Sequence, residues 1–211
     1  MVEILHSTAP VDYLEAKEFM ERRVQQIVTG RTEQCIWLLE HPPLYTAGTS
    51  ASPQDLLEHS RFPVYAAGRG GQYTYHGPGQ RVVYLMLNLA QQPCGKDLRK
   101  YICNLEKWLI ATLSEFSVEG KACQDRIGVW VDDPQSGSEE KIAAIGVRVR
   151  KWVSFHGIAL NVKPNLEHFS GIVPCGISDH GVTSLEKLGS NAELETVDAA
   201  LLRQLSSYFN L

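Results

Sequence analysis

The sequence predicts a single α/β domain, residues 1–211, with a mixed, largely antiparallel sheet packed by helices. Three observations point there. Short apolar runs recur at close spacing, three longer stretches carry apolar residues three and four apart, and no internal repeat or linker divides the chain. Strands that follow one another through short loops pair antiparallel more readily than parallel, because a parallel partner needs a long crossover.

The elements follow in order. From Val11 to Val28 the residues Tyr13, Ala16, Met20, Val24 and Ile27 define one helical face, and Gly30 marks its end. Cys35 to Glu40 (CIWLLE) is short and almost wholly apolar, which predicts an interior strand. HPPLYTAGTSASP reads as loop by its prolines, glycine and serines, and a brief polar connection leads into the strand-like PVYAA. Arg81 to Leu89 is a further strand. Asp97 is placed to cap a helix to about Phe116, with Leu98, Ile102, Leu105, Leu109 and Leu113 on one face. Three strand-like runs come next: Arg126 to Val131, Lys141 to Arg150 and Trp152 to Val162. Between the first two lies the acidic, turn-rich DDPQSGSEE. One helical turn over Asn165 to Phe169, a loop from Gly171 to Gly181, and a helix from Thr196 to about Phe209 complete the chain.

Composition narrows the function classes. The chain has 211 residues, 44% of them hydrophobic and 21% charged, enough for a full core. Its formal net charge of −4 argues against nucleic-acid binding through bulk electrostatics. No apolar run is long enough for a membrane span, and the acidic start has no signal-peptide pattern. Five cysteines without a CxxC pair read as reduced thiols, and the expected location is cytoplasmic.

Chemistry gathers around Gly68 to Gln80, GRGGQYTYHGPGQ, with five glycines in thirteen residues. So many glycines exclude a helix, and Pro78 excludes a central strand. A loop and short strand that bring bare backbone to a ligand is the expected reading, against a purely structural turn. The third glycine of a dinucleotide fingerprint would fall on Tyr73, and no phosphate-binding P-loop occurs. His76, His156 and His180 lack metal-ligand spacing, so no metal or cofactor is expected. Cys175 lies between Pro174 and Gly176, a setting open both to a structural thiol and to a nucleophile beside an unobstructed amide. Lys141 opens directly onto IAAIG, either as a solvated strand end or with its stem entering the sheet. Arg148 and Arg150 share a strand face, as solvated charges or as a docking patch for an acidic partner.

Taken together, EHPPLYTAGT, GRGGQYTYHGPGQ, GVWV, KIAAIGVRVRKWVSFHGIALNV and GIVPCGISDHGVTSL resemble the lipoyl(octanoyl) transferases of lipoate biosynthesis over most of the chain. The resemblance implies the catalytic fold shared by biotin and lipoate protein ligases. It implies octanoyl transfer from octanoyl-acyl carrier protein to a lysine of lipoyl domains, in 2-oxo acid dehydrogenase complexes and the glycine cleavage H protein. It places the acyl-accepting cysteine on Cys175 and its partner lysine on Lys141. Substrate-lining segments fall on Arg69, Gly70, Gly71, Gln72, Tyr73, Thr74, Tyr75 and His76, on Ala144, Ile145 and Gly146, and on Gly157, Ile158 and Ala159. An oxyanion would rest on backbone N–H groups of Gly77, Cys175 and Gly176. Tyr73, where a smaller aliphatic is common, and the 132–140 loop depart from the family pattern. Three rivals remain: an ATP-dependent ligase of the same fold, an amidotransferase between lipoyl domains, and a non-catalytic acyl-carrier-binding protein.

Overall fold

The computed structural model describes residues 1–134, 137–173 and 180–211. Among them the sheet is mixed and mostly antiparallel, as expected. The strands are β1 (Val2–His6), β2 (Gln34–Leu39), β3 (Leu44–Ala47), β4 (Val64–Ala66), β5 (Tyr73–His76) and β6 (Gln80–Met86). They continue as β7 (Lys121–Ala122), β8 (Val129–Asp132), β9 (Glu139–Arg150), β10 (Val153–Asn161) and β11 (Gly181–Val182). The helices are α1 (Tyr13–Val28), α2 (Leu98–Ser114) and α3 (Leu194–Leu205).

The large sheet runs β1-β2-β6-β10-β9-β8-β7, and β11 pairs with β9 in parallel at Glu140 and Lys141. A second sheet, β4-β3-β5, stands beside it. Alternation along β6 sorts the core by face, since successive strand side chains point to opposite sides. Val82, Tyr84 and Met86 meet Ala16, Met20 and Val24 of α1, while Val83 and Leu85 join Leu105, Trp108 and Leu109 of α2 and Leu201 of α3. Asp12 caps α1 by accepting from Leu14 and Glu15 amides at 2.8 and 3.1 Å, and Asp97 accepts from the Lys100 amide at 3.0 Å.

Two expectations about elements need correction, and one strand lies where none was expected. Val2–His6 is a strand, paired in parallel with β2 at the sheet's edge. HPPLYTAGTSASP contains β3, the centre of the smaller sheet. The buried face of α2 is turned from the one expected: Tyr101, Leu105, Trp108, Leu109 and Leu113 are buried, whereas Leu98 is 41% exposed.

Candidate functional site

The two sheets enclose a cavity of about 560 Å³. Its wall is drawn from the glycine-rich stretch, from β5, β6, β9 and β10, from Tyr13 of α1, and from Leu98 and Ile102 at the start of α2. Of the residues expected to line a substrate, Arg69 to Thr74, His76, Ala144 to Gly146 and Gly157 to Ala159 border this cavity. Tyr75 does not. Its ring packs instead among Tyr45, Phe62, His168 and Phe169, with its oxygen 2.8 Å from His168 Nδ1. Gly77 lies outside the lining as well, tucked so close over Tyr75 that a Cβ there would sit 1.8 Å from its hydroxyl oxygen. Pro174, Cys175 and Gly176 lie outside the described residues.

Arg69 is buried, and hydrogen bonds dictate its place. Nη1 donates to the carbonyls of Gly70 and Gln72, and Nη2 donates to the carbonyl and hydroxyl oxygens of Thr46. Gly146 makes room for its stem: a Cβ there would lie 2.6 Å from Arg69 Cδ. Thr46, on the strand missed in the sequence, hands its own proton toward His76 Nε2 at 3.4 Å. His76 Nδ1 donates to Gln80 Oε1 at 2.7 Å, Gln80 Nε2 to Asn161 Oδ1 at 2.9 Å, and Asn161 Nδ2 to the Thr183 carbonyl at 2.9 Å. The Thr183 amide closes the chain on the carbonyl of Lys141 at 3.0 Å. Every donor points the same way, from the cavity wall to β9.

Burial governs the histidines. Desolvation, then the charges of His41 and Arg69, push His76 down to about 3. His156 is lowered to about 3 by desolvation and by Arg69, Arg148 and Lys17, a hydrogen bond to the Ala67 backbone opposing. His156 has φ +58°, left-handed for a residue inside a strand, and its ring stacks on Phe155 with centroids 5.2 Å apart. It therefore faces the cavity, against the alternation of β10. These rings are neutral hydrogen-bonding groups near pH 7, and none gathers into a metal site: no cluster of three His, Cys, Asp or Glu suited to a metal occurs among the described residues.

Lys141 has its stem inside the sheet and is 6% exposed at the cavity wall. Nζ donates to the Ile127 carbonyl at 3.2 Å and lies 4.6 Å from the centroid of the Trp130 ring. Arg148 and Arg150 are exposed, with guanidinium carbons 5.4 and 5.9 Å from the Phe155 ring. Sequence reasoning passed over Thr46, Gln80, Asn161 and Trp130. All four lie in or beside quoted motifs, but nothing in a motif tells a wall residue from one that holds the wall.

The model of the lipoyl protein ligase A/B catalytic domain matches residues 12–206. The chain belongs to that family. An octanoyltransferase of Rhodospirillum rubrum is 60% identical over 200 residues, covering 95% of this chain and 91% of the relative. The solved lipoate-protein ligase A bound with ATP superposes with a TM-score of 0.74 at 11% identity, covering 97% of this chain and 85% of that one. The biotin protein ligase of Aquifex aeolicus gives 0.52 at 12% identity, covering 98% and 67%. The expected ligase-type fold is therefore found, and at these identities the structures speak for the fold alone. No helix among the described residues is long and apolar enough to cross a membrane.

Proposed function

We propose that this protein is an octanoyltransferase of protein lipoylation, acting through Cys175 and Lys141. The observation that carries the reading is a buried lysine in the wall of a cavity whose exposed lining is mostly apolar, in a chain 60% identical to an octanoyltransferase. An apolar cavity suits an alkyl chain, and an inward-turned ammonium suits a thiolate beside it. A free thiol, with pKa near ~8.5, is only a few per cent thiolate at neutral pH. A cation at ~4 Å in an effective dielectric near ~20 favours the thiolate by up to about 4 kcal/mol, less the cost of burying the cation.

The resting pair is the Cys175 thiolate with the Lys141 ammonium. The thiolate attacks the carbonyl of an octanoyl thioester on acyl carrier protein, and a new C–S bond forms as the carrier C–S bond breaks. Lys141 gives its proton to the departing carrier thiolate. A lysine amine of a lipoyl domain then attacks the octanoyl-Cys175 carbonyl, forming the C–N bond and expelling the thiolate. Lys141 takes the amine's proton, which restores the resting pair. One thioester replaces another at little cost and the amide is downhill, so the reaction needs no ATP. The expected backbone donors at Cys175 and Gly176 would hold the oxyanion.

The test mixes purified protein, octanoyl-acyl carrier protein and an apo lipoyl domain without ATP, and weighs the products. One octanoyl group on the lipoyl domain is expected. Without acceptor, one octanoyl adduct is expected on the enzyme and none on Cys175→Ala. Transfer that continues with no adduct at any time would sink the covalent route, and transfer that demands ATP would make the protein a ligase.

A further inference from the structure

We propose that Trp130 is the positioning residue for Lys141, holding the ammonium at the cavity wall without neutralising it. This rests on the role proposed for Lys141. Trp130 and Lys141 are register partners across β8 and β9, beside a register shift between Val129 and Trp130. Partnered residues in adjacent strands present their side chains on one face, so the indole lies against the lysine stem. The ring centroid is 4.6 Å from Nζ, within cation–π range. The Ile127 carbonyl supplies the second fixed point at 3.2 Å. Gly128, at φ +126°, leaves space for the stem, since a Cβ would meet Lys141 Cε at 3.3 Å.

The choice of partners matters. Among the described residues no carboxylate forms a salt bridge with Lys141, whereas Lys187 and Lys121 nearby in the fold are both paired with acids. A carboxylate would hold the ammonium but cancel the field that a neighbouring thiolate needs. An aromatic face and a carbonyl hold it while leaving its net charge in place. Trp130 is itself pinned: Nε1 donates to the Arg126 carbonyl at 3.2 Å, and the Arg126 guanidinium carbon lies 4.6 Å from the same ring. The His180 ring meets the indole at 5.4 Å, edge to face. His180 follows directly after the 174–179 segment in sequence. The indole thus touches both Lys141 and His180.

The test uses Trp130→Phe, Trp130→Leu and single-site replacement of Trp130 by tryptophans carrying one, two and three fluorines. Fluorination drains the ring face of negative potential with little change in shape, so a packing role is indifferent to it and a cation–π role is not. With thermal midpoints unchanged, kcat for octanoyl transfer should fall stepwise by roughly 3- to 30-fold across the fluorinated series, with KM for the carrier unmoved. The pH profile of Cys175 alkylation by iodoacetamide should shift to higher pH in step. Trp130→Phe should lie between wild type and Trp130→Leu. Flat kcat and an unmoved alkylation profile across the fluorinated series would overturn the proposal, whether or not Trp130→Leu folds. A readout free of catalysis separates the two hypotheses. In wild type, the Lys141 Cε protons, assigned by their loss in Lys141→Met, should show the upfield shift of protons above an indole face. If that shift is present but no octanoate is transferred, the proposed activity fails and the placement stands; if it is absent, the placement fails.

Discussion

Arg69 and Thr46 are joined twice, through Nη2 to the Thr46 hydroxyl oxygen at 2.7 Å and to its carbonyl at 3.2 Å. Because the hydroxyl accepts from Arg69, its own proton is left for His76 Nε2, and His76 must then donate from Nδ1 to Gln80. The guanidinium thus fixes a histidine tautomer through the Thr46 hydroxyl. It also disfavours the histidine's charged form.

Acid sensitivity follows from that arrangement. His76 and His156 stay neutral in the folded protein down to about 3, whereas an imidazole in an unfolded chain takes a proton near ~6.5. Between those limits the unfolded state binds more protons, so stability falls as pH drops, by ~1.4 kcal/mol per unit for each ring. His41 and His168 are lowered in the same sense, and Glu106, raised by burial, opposes them. Urea unfolding followed from pH 7 to 4.5 should show falling stability, with a shallower slope in His156→Asn. An equal slope in that variant would show that His156 titrates normally.

A buried ion pair fastens α3 to β6. Arg81 of β6 donates from Nε and Nη2 to Asp198 of α3 at 2.6 and 3.0 Å, and His6 of β1 meets the same carboxylate at 2.6 Å. Arg81 and Asp198 are both buried. Asp198→Ala strands the guanidinium and should cost about 3–5 kcal/mol in denaturant unfolding. Arg81→Met combined with Asp198→Leu should regain most of that loss, because no buried charge remains. A double variant as unstable as the single would mean that α3 needs the pair itself.

The fold was legible where one periodicity ruled, and obscure where two constraints met. In α1 every residue expected on the buried face, Tyr13, Ala16, Met20, Val24 and Ile27, is there. In α2 the leucine and isoleucine spacing pointed to a face beginning at Leu98. Tyr101 and Trp108 take the core, while Leu98 and Ile102 line the cavity. A helix that serves both a core and a cavity carries two overlapping apolar stripes, and spacing alone cannot divide them. β1 escaped notice because Glu3 and His6 break its alternation, as suits an exposed edge. β3 was hidden by the turn residues on both sides. At the site, glycines and motif order marked the cavity wall, but Trp130 reads in sequence as one more core aromatic. Only the register of β8 against β9 brings it to Lys141.

Arg148 and Arg150 should dock the acidic carrier. Both are exposed, both lie over the Phe155 ring, and β9 joins them to Lys141. The ring holds both guanidinium groups on one face of the hairpin while the residues stay exposed, which suits long-range attraction of an acidic surface. Reversing both to Glu should raise KM for octanoyl-acyl carrier protein roughly 10-fold at low salt and flatten its salt dependence, with kcat little changed. If KM and its dependence on ionic strength stay where they were, these arginines serve only the hairpin.

Lys141→Arg separates the two duties proposed for the lysine. Arginine keeps a positive charge near the thiol, but with a pKa above ~12 it cannot accept the proton of an attacking amine near neutral pH. Lys141→Met keeps the stem's bulk and loses both functions. Iodoacetamide should therefore alkylate Cys175 fairly quickly in Lys141→Arg and slowly in Lys141→Met, since only the second lacks the cation. Octanoyl transfer to the lipoyl domain should fall at least ~100-fold in both, the usual scale of losing a general acid–base. The step that fails should also differ. Lys141→Arg should still accumulate some octanoyl-Cys175 when given the carrier, because the field that supports attack remains. Lys141→Met should accumulate almost none. Full transfer by Lys141→Arg would remove the proton-shuttle role and leave the lysine as a source of charge alone.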